Sequence, residues 1–240
     1  CASCHSPEAF FTDPDKTQPT SAGVIEGRRG NRNAPTLMYA SATPAFHFDK
    51  AEGLFKGGQF DDGRASTLSD QAGKPFLHPL EMNNPDPAAV VEKVKAASYA
   101  DLFRKVYGPK ALDDTAKAYR HITAAIAAFE KTDGFAPMSS KYDAYMAGKA
   151  RFTDAERRGR AIFEDADKGN CAACHPDRPS NNGAQRPLLT DFTYDNLGVP
   201  KNPDNPFYTL PPEFNPQGYG FVDKGLGSHV KIPSENGKFK

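Results

Sequence analysis

The chain has 240 residues with 30 basic and 30 acidic side chains, so it carries no formal net charge, whereas a nucleic-acid binder shows a basic excess. Apolar residues make up 38% of it and the mean hydropathy is −0.65, and no run approaches the roughly 18 apolar residues of a membrane span. Its 20 Gly and 21 Pro call for long ordered loops, while 17 Phe and 9 Tyr are too many aromatics for a disordered chain.

The chain opens directly on Cys1-Ala-Ser-Cys4-His5. From there to about residue 85 it reads as loop, with Pro, Gly, Asn and Asp every few positions and no persistent helical or strand period. A first helix is predicted after Asp86, a good N-cap, with Pro87 at its first position and Val90, Val91 and Val94 inward. A second runs from about Tyr99 to Tyr107 with Leu102, Phe103 and Val106 on one face. The strongest spans Asp114 to Lys131, with Tyr119, Ile122, Ile126 and Phe129 as its apolar stripe, which leaves His121 outside and exposed. A brief helix follows over Ser140–Ala147. Thr153 and Glu156 then form a capping box, and the helix they start breaks at Lys168-Gly169-Asn170. Directly after it comes Cys171-Ala-Ala-Cys174-His175, and beyond that Pro and Gly dominate with no helix predicted.

Cys-x-x-Cys-His is the attachment signature of c-type haem. Two thiols add across the haem vinyl groups, and the adjacent imidazole ligates the iron. The four cysteines of the chain all lie in the two motifs. A disulfide framework or a redox dithiol would not require the trailing His, and zinc needs a further pair of ligands close by. The motifs therefore predict two covalent haem c groups, on Cys1, Cys4 and His5 and on Cys171, Cys174 and His175. Such haem is attached outside the cytoplasm, which implies a periplasmic or cell-surface location. The expected fold is mainly α and loop-rich, with two cytochrome c-like haem domains over residues 1–149 and 150–240. The first is expected to lack its opening helix and the second its closing one.

Several short motifs in order resemble the bacterial di-haem cytochrome c peroxidase and MauG family. They are Arg32-Asn-Ala-Pro-Thr-Leu37, Gly57-Gly-Gln-Phe-Asp-Asp-Gly-Arg-Ala65, Leu68-Ser-Asp-Gln71-Ala72, Pro79-Leu-Glu81-Met82-Asn83 and Ala125-Ile-Ala-Ala-Phe-Glu130, between the two haem motifs. The resemblance implies a peroxidatic first haem, an electron-transferring second haem and reduction of hydrogen peroxide with electrons from a small cytochrome c or cupredoxin. It assigns Glu81 as general acid–base and Gln71 as hydrogen-bond donor to peroxide or water. Asn33 matches a family calcium ligand, although an Asn before Ala34-Pro35 also caps its own turn readily. A homodimer is implied by the family alone. The alternatives are MauG-like oxidation of a partner protein's side chains and a di-haem electron carrier without substrate, which would have no use for Gln71 and Glu81.

Two departures stand out. Where the family carries Trp between the haems this chain has Asp61, and it contains no Trp at all. The electron path is then expected to run by direct haem-to-haem tunnelling or through another aromatic such as Phe60 or Tyr39. Residues 6–46 contain no His to close the first iron, and His47 and His78 are more readily explained by ordinary hydrogen bonds. Met138 and Met146 precede the second motif and are expected in core packing, while the clusters Arg28-Arg29-Gly-Asn-Arg32 and Arg157-Arg158-Gly-Arg160 read as solvated. The Pro/Asn/Tyr-rich stretch 194–219 suits a groove or a subunit contact. An open first haem should show a high-spin signal in electron paramagnetic resonance of the oxidised protein; a purely low-spin spectrum contradicts it.

Overall fold

The computed structural model describes residues 1–178 and 186–240. Among them are seven α helices, α1 (Leu68–Leu77), α2 (Pro87–Lys95), α3 (Ala100–Tyr107), α4 (Thr115–Glu130), α5 (Lys141–Met146), α6 (Asp154–Glu164) and α7 (Leu226–Val230). One antiparallel hairpin, β1 (His47–Asp49) and β2 (Leu54–Lys56), pairs Phe48 with Phe55. Long loops and single 3₁₀ turns connect them.

The polar N-caps start the helices where their chemistry predicts. The Asp86 and Asp114 carboxylates accept the Ala89 and Lys117 N–H groups at 2.8 and 2.7 Å, each such cap contributing about 1 kcal/mol. Thr153 and Glu156 cap α6 reciprocally, as Ser140 and Asp143 cap α5. The main core gathers Val90, Val91 and Val94 of α2, Phe103 of α3, Leu112, and Ala118 and Ile122 of α4.

Several expectations are corrected. Residues 1–85 are not all loop, because they include α1 and the hairpin. Gly73 and Pro75 hide α1 in the sequence, yet Thr67 and Asp70 form its capping box. Gly73 eases the α1–α4 crossing: an added Cβ would lie 3.1 Å from the Tyr119 ring, a tight contact, and the Tyr119 hydroxyl donates to the Gly73 carbonyl at 2.6 Å. That close crossing draws the alanine-rich side of α4 inward, burying Ala118 and Ala127 and leaving Phe129 60% exposed. On α3 Ala100 and Phe103 turn inward, while Leu102 and Val106 face solvent. His121 is half-buried rather than exposed, stacked on Tyr107 at 4.6 Å. Met146 lies at the surface, and α7 is a short helix beyond the second motif.

The arginine clusters are also less solvated than predicted. Arg32 donates two hydrogen bonds to Asp223, at 2.7 and 2.8 Å, and a third to Asp62 at 3.0 Å. Arg160 binds Asp177 and Glu164 at 2.8 and 3.2 Å. Arg28 reaches the Pro79 carbonyl and lies over the Phe214 ring at 4.6 Å. Within the 194–219 stretch, Phe207 and Tyr208 pack on Leu80, joined by Phe214, so much of this stretch covers the Leu80–Glu81 turn.

Glu130, in the last turn of α4, is 3% exposed and its Oε2 has no hydrogen-bond partner among the described residues. Burial pushes its carboxyl up from 4.5 to about 7. The folded state then keeps a proton that the unfolded state releases, so this contribution is full below the unfolded value and is lost as pH rises through about 7. Glu130→Gln should match the parent near pH 5 and exceed it by on the order of 3 kcal/mol near pH 8 in urea unfolding; the same difference at both pH values contradicts this.

Candidate functional site

Both Cys-x-x-Cys-His segments fold into the same tight turn. The His5 N–H donates to the Cys1 carbonyl at 2.8 Å, and the His175 N–H donates to the Cys171 carbonyl at 2.8 Å. All four thiols are unpaired. Each imidazole bonds a backbone carbonyl from a later loop: His5 Nδ1 lies 2.8 Å from the Phe11 oxygen and His175 Nδ1 lies 2.9 Å from the Leu189 oxygen. A carbonyl only accepts, so each Nδ1 carries the proton and each Nε2 keeps its lone pair for a metal. Two thiols on one turn beside an oriented imidazole fit covalent haem c, and the loops carry apolar side chains at the surface, Phe10, Val24 and Ile25 after the first motif and Leu189 after the second.

The first motif and the Glu81 turn are linked through the Ala22–Val24 loop. Cys4 Sγ lies 3.7 Å from the Ala22 carbonyl, and two residues on the Val24 N–H donates to the Glu81 carbonyl at 2.8 Å. Gly23 permits this contact, since a Cβ there would meet the Leu80 oxygen at 2.4 Å. Asn84 locks the turn to the end of α1 by donating to the Phe76 carbonyl at 2.7 Å. The Glu81 carboxylate is 39% exposed, with Oε1 3.5 Å from His78 Nδ1. Gln71 is half-buried in α1, seven residues before His78 and so on the same helical side. His78 accepts from the Leu80 N–H at 3.3 Å, and His47 Nδ1 bonds the Ala45 carbonyl at 2.8 Å.

Asn33 is exposed, and its Oδ1 accepts from the Ala34 N–H at 3.0 Å, the turn-capping geometry. Among the described residues no three His, Cys, Asp or Glu side chains cluster as a metal site. Asp61 is largely out of solvent, and burial raises its carboxyl while Arg32 and Lys240 oppose the shift. Burial lowers the Lys240 ammonium to about 8, and its amino group donates to the Gly58 carbonyl. Phe60 is half-buried with the Arg64 guanidinium 3.6 Å over its ring, and Tyr39 is half-buried too.

Sequence reasoning missed the groups that hold the second motif. The Tyr142 hydroxyl donates to the Asp177 carbonyl at 2.5 Å and lies 2.9 Å from its carboxylate. Tyr142 is pushed up to about 12, first by burial and then by Asp177. Nothing local in the sequence marks a contact across 35 residues.

The sequence profile of the di-haem cytochrome c peroxidases matches residues 1–151. Over its full length the chain is 39% identical to the methylamine utilization protein MauG of Paracoccus denitrificans, covering 61% of that protein. It is 33% identical to the cytochrome c peroxidase Ccp of Escherichia coli, with 73% of this chain aligned to 32% of the relative. The diheme peroxidase BthA of Burkholderia thailandensis superposes on the whole chain with a TM-score of 0.84 at 34% identity, over 58% of its length. The chain thus spans about 60% or less of the relatives it matches. With two equivalent haem-attachment turns in one fold, the chain belongs to the di-haem cytochrome c peroxidase family, which implies two covalently bound haem c groups.

Proposed function

We propose that this chain reduces hydrogen peroxide to water at the first haem site, with two electrons delivered through the second from a small cytochrome c or cupredoxin. The observation that supports this reading is the backbone bond between Val24, in the loop that follows the first haem motif, and the turn that carries the solvent-accessible Glu81 carboxylate. Bound haem supplies the redox-active iron at each site.

The chain's own groups supply binding and proton movement. The imidazoles of His5 and His175, held by the Phe11 and Leu189 carbonyls, would offer Nε2 to the two haem irons. Glu81 takes the proton from the inner peroxide oxygen and delivers it to the outer one, which leaves as water. Gln71 donates a hydrogen bond that holds the peroxide. Two protons from solvent and two electrons from the donor complete the balance of one peroxide to two waters. A periplasmic or cell-surface location follows from haem attachment outside the cytoplasm, a homodimer and a calcium ion on Asn33 are carried over from the family, and the domain boundary stays near residue 150.

Identity to MauG along the full chain favours a second reading, oxidation of a partner protein's side chains through the same sites. Asp61 favours peroxide reduction, because a half-buried carboxyl in place of an indole offers no readily oxidised ring for holding radical character. Stopped-flow absorbance of the half-reduced protein with stoichiometric peroxide tests the proposal. Glu81→Gln should slow haem oxidation about a hundredfold, the scale of losing a general acid–base. Equal rates contradict the assignment of Glu81, and no reaction in either protein contradicts peroxidase function.

A further inference from the structure

One short segment joins the two loops that orient the imidazoles. Phe11, whose carbonyl holds His5, lays its ring 4.4 Å from that of Phe135. Phe135 is 2% exposed, its carbonyl accepts the Tyr39 N–H at 2.7 Å and its ring meets Phe129 at 4.9 Å. Three residues on, the Met138 carbonyl accepts from Arg186 at 3.3 Å, close in sequence to Leu189, whose carbonyl holds His175. The segment ends at Tyr142, which binds Asp177, two residues after His175 and 4% exposed. Arg160 grips the same Asp177 carboxylate at 2.8 Å.

The segment has little slack. Met138 has a positive φ of 44°, and Ser140 is fixed by its reciprocal bonds with Asp143. A close-packed ring at one end and a hydrogen-bonded hydroxyl at the other transmit displacement rather than absorb it. What they would transmit is chemically relevant, since the hydrogen bond at Nδ1 sets the basicity of the ligating Nε2.

We infer that residues 135–142 form a strap that sets both proximal histidines together, with Phe135 and Tyr142 as positioning residues at its ends. The inference rests on the reading of both motifs as haem sites. Tyr142→Phe removes one hydroxyl whose contacts are with Asp177, beside the second motif. In the full chain carrying both haems, this variant should shift the midpoint potential of the second haem. It should also shift the iron–histidine stretching band of the reduced first haem in resonance Raman spectra. Phe135→Leu is the reciprocal variant, and it should move the second haem's midpoint from the first haem's side. Two bound haems with only the nearer one perturbed overturn the strap. A chain that takes up no haem overturns the functional reading, and the strap with it.

Discussion

The guanidinium of Arg32 is where the distant parts of this chain are tied. It joins Asp62, beside the Gly57–Gly58 turn, to Asp223 in the C-terminal loops, and stands over the Phe239 ring at 5.4 Å. Asp62 is 5% exposed and is shared with Arg64 at 2.9 Å, so removing Arg32 would leave a desolvated carboxylate with one guanidinium in place of two. Asn205, donating to the Asn31 carbonyl at 2.9 Å, adds a neutral bond between the same segments. These bonds hold the C-terminal loops where Phe207 and Tyr208 can cover Leu80, and the Leu80 turn in turn places Glu81. A loop-rich chain thus positions the Glu81 turn through a few long-range polar contacts, where a helical protein would use a helix face.

Much of the chemistry was legible because it is local. Cys-x-x-Cys-His spans five residues, and its turn closes on itself. Asp86, Asp114 and Thr153 cap the residues that follow them, so helix starts could be read from a few positions. The misreadings share one cause, tertiary override of local signals. Pro75 and Gly73 argue against α1, but the α4 crossing rewards Gly73. Phe129 looks like core by periodicity, yet that crossing favours the small side chains of α4. Arg32, Arg160 and Tyr142 find partners 17 to 191 residues away, at separations no local pattern encodes.

The electrostatics around Asp61 set this chain apart from the family pattern described above. Asp61, half-buried with Asp62, Arg32 and Lys240 around it, puts a carboxyl without an oxidisable ring where the family carries an indole. Phe60 beside it is covered by a cation, which makes removing an electron from that ring harder. Neither position therefore offers a side chain that is easily oxidised.

The most direct measurement is the intact mass of the full chain matured where haem c is attached to secreted proteins. Two covalent haem groups per chain, both lost when the four motif cysteines are replaced by Ala, are the predicted result. A chain that carries one haem or none, with its motif cysteines free or paired as disulfides, would contradict the reading of both turns as haem sites.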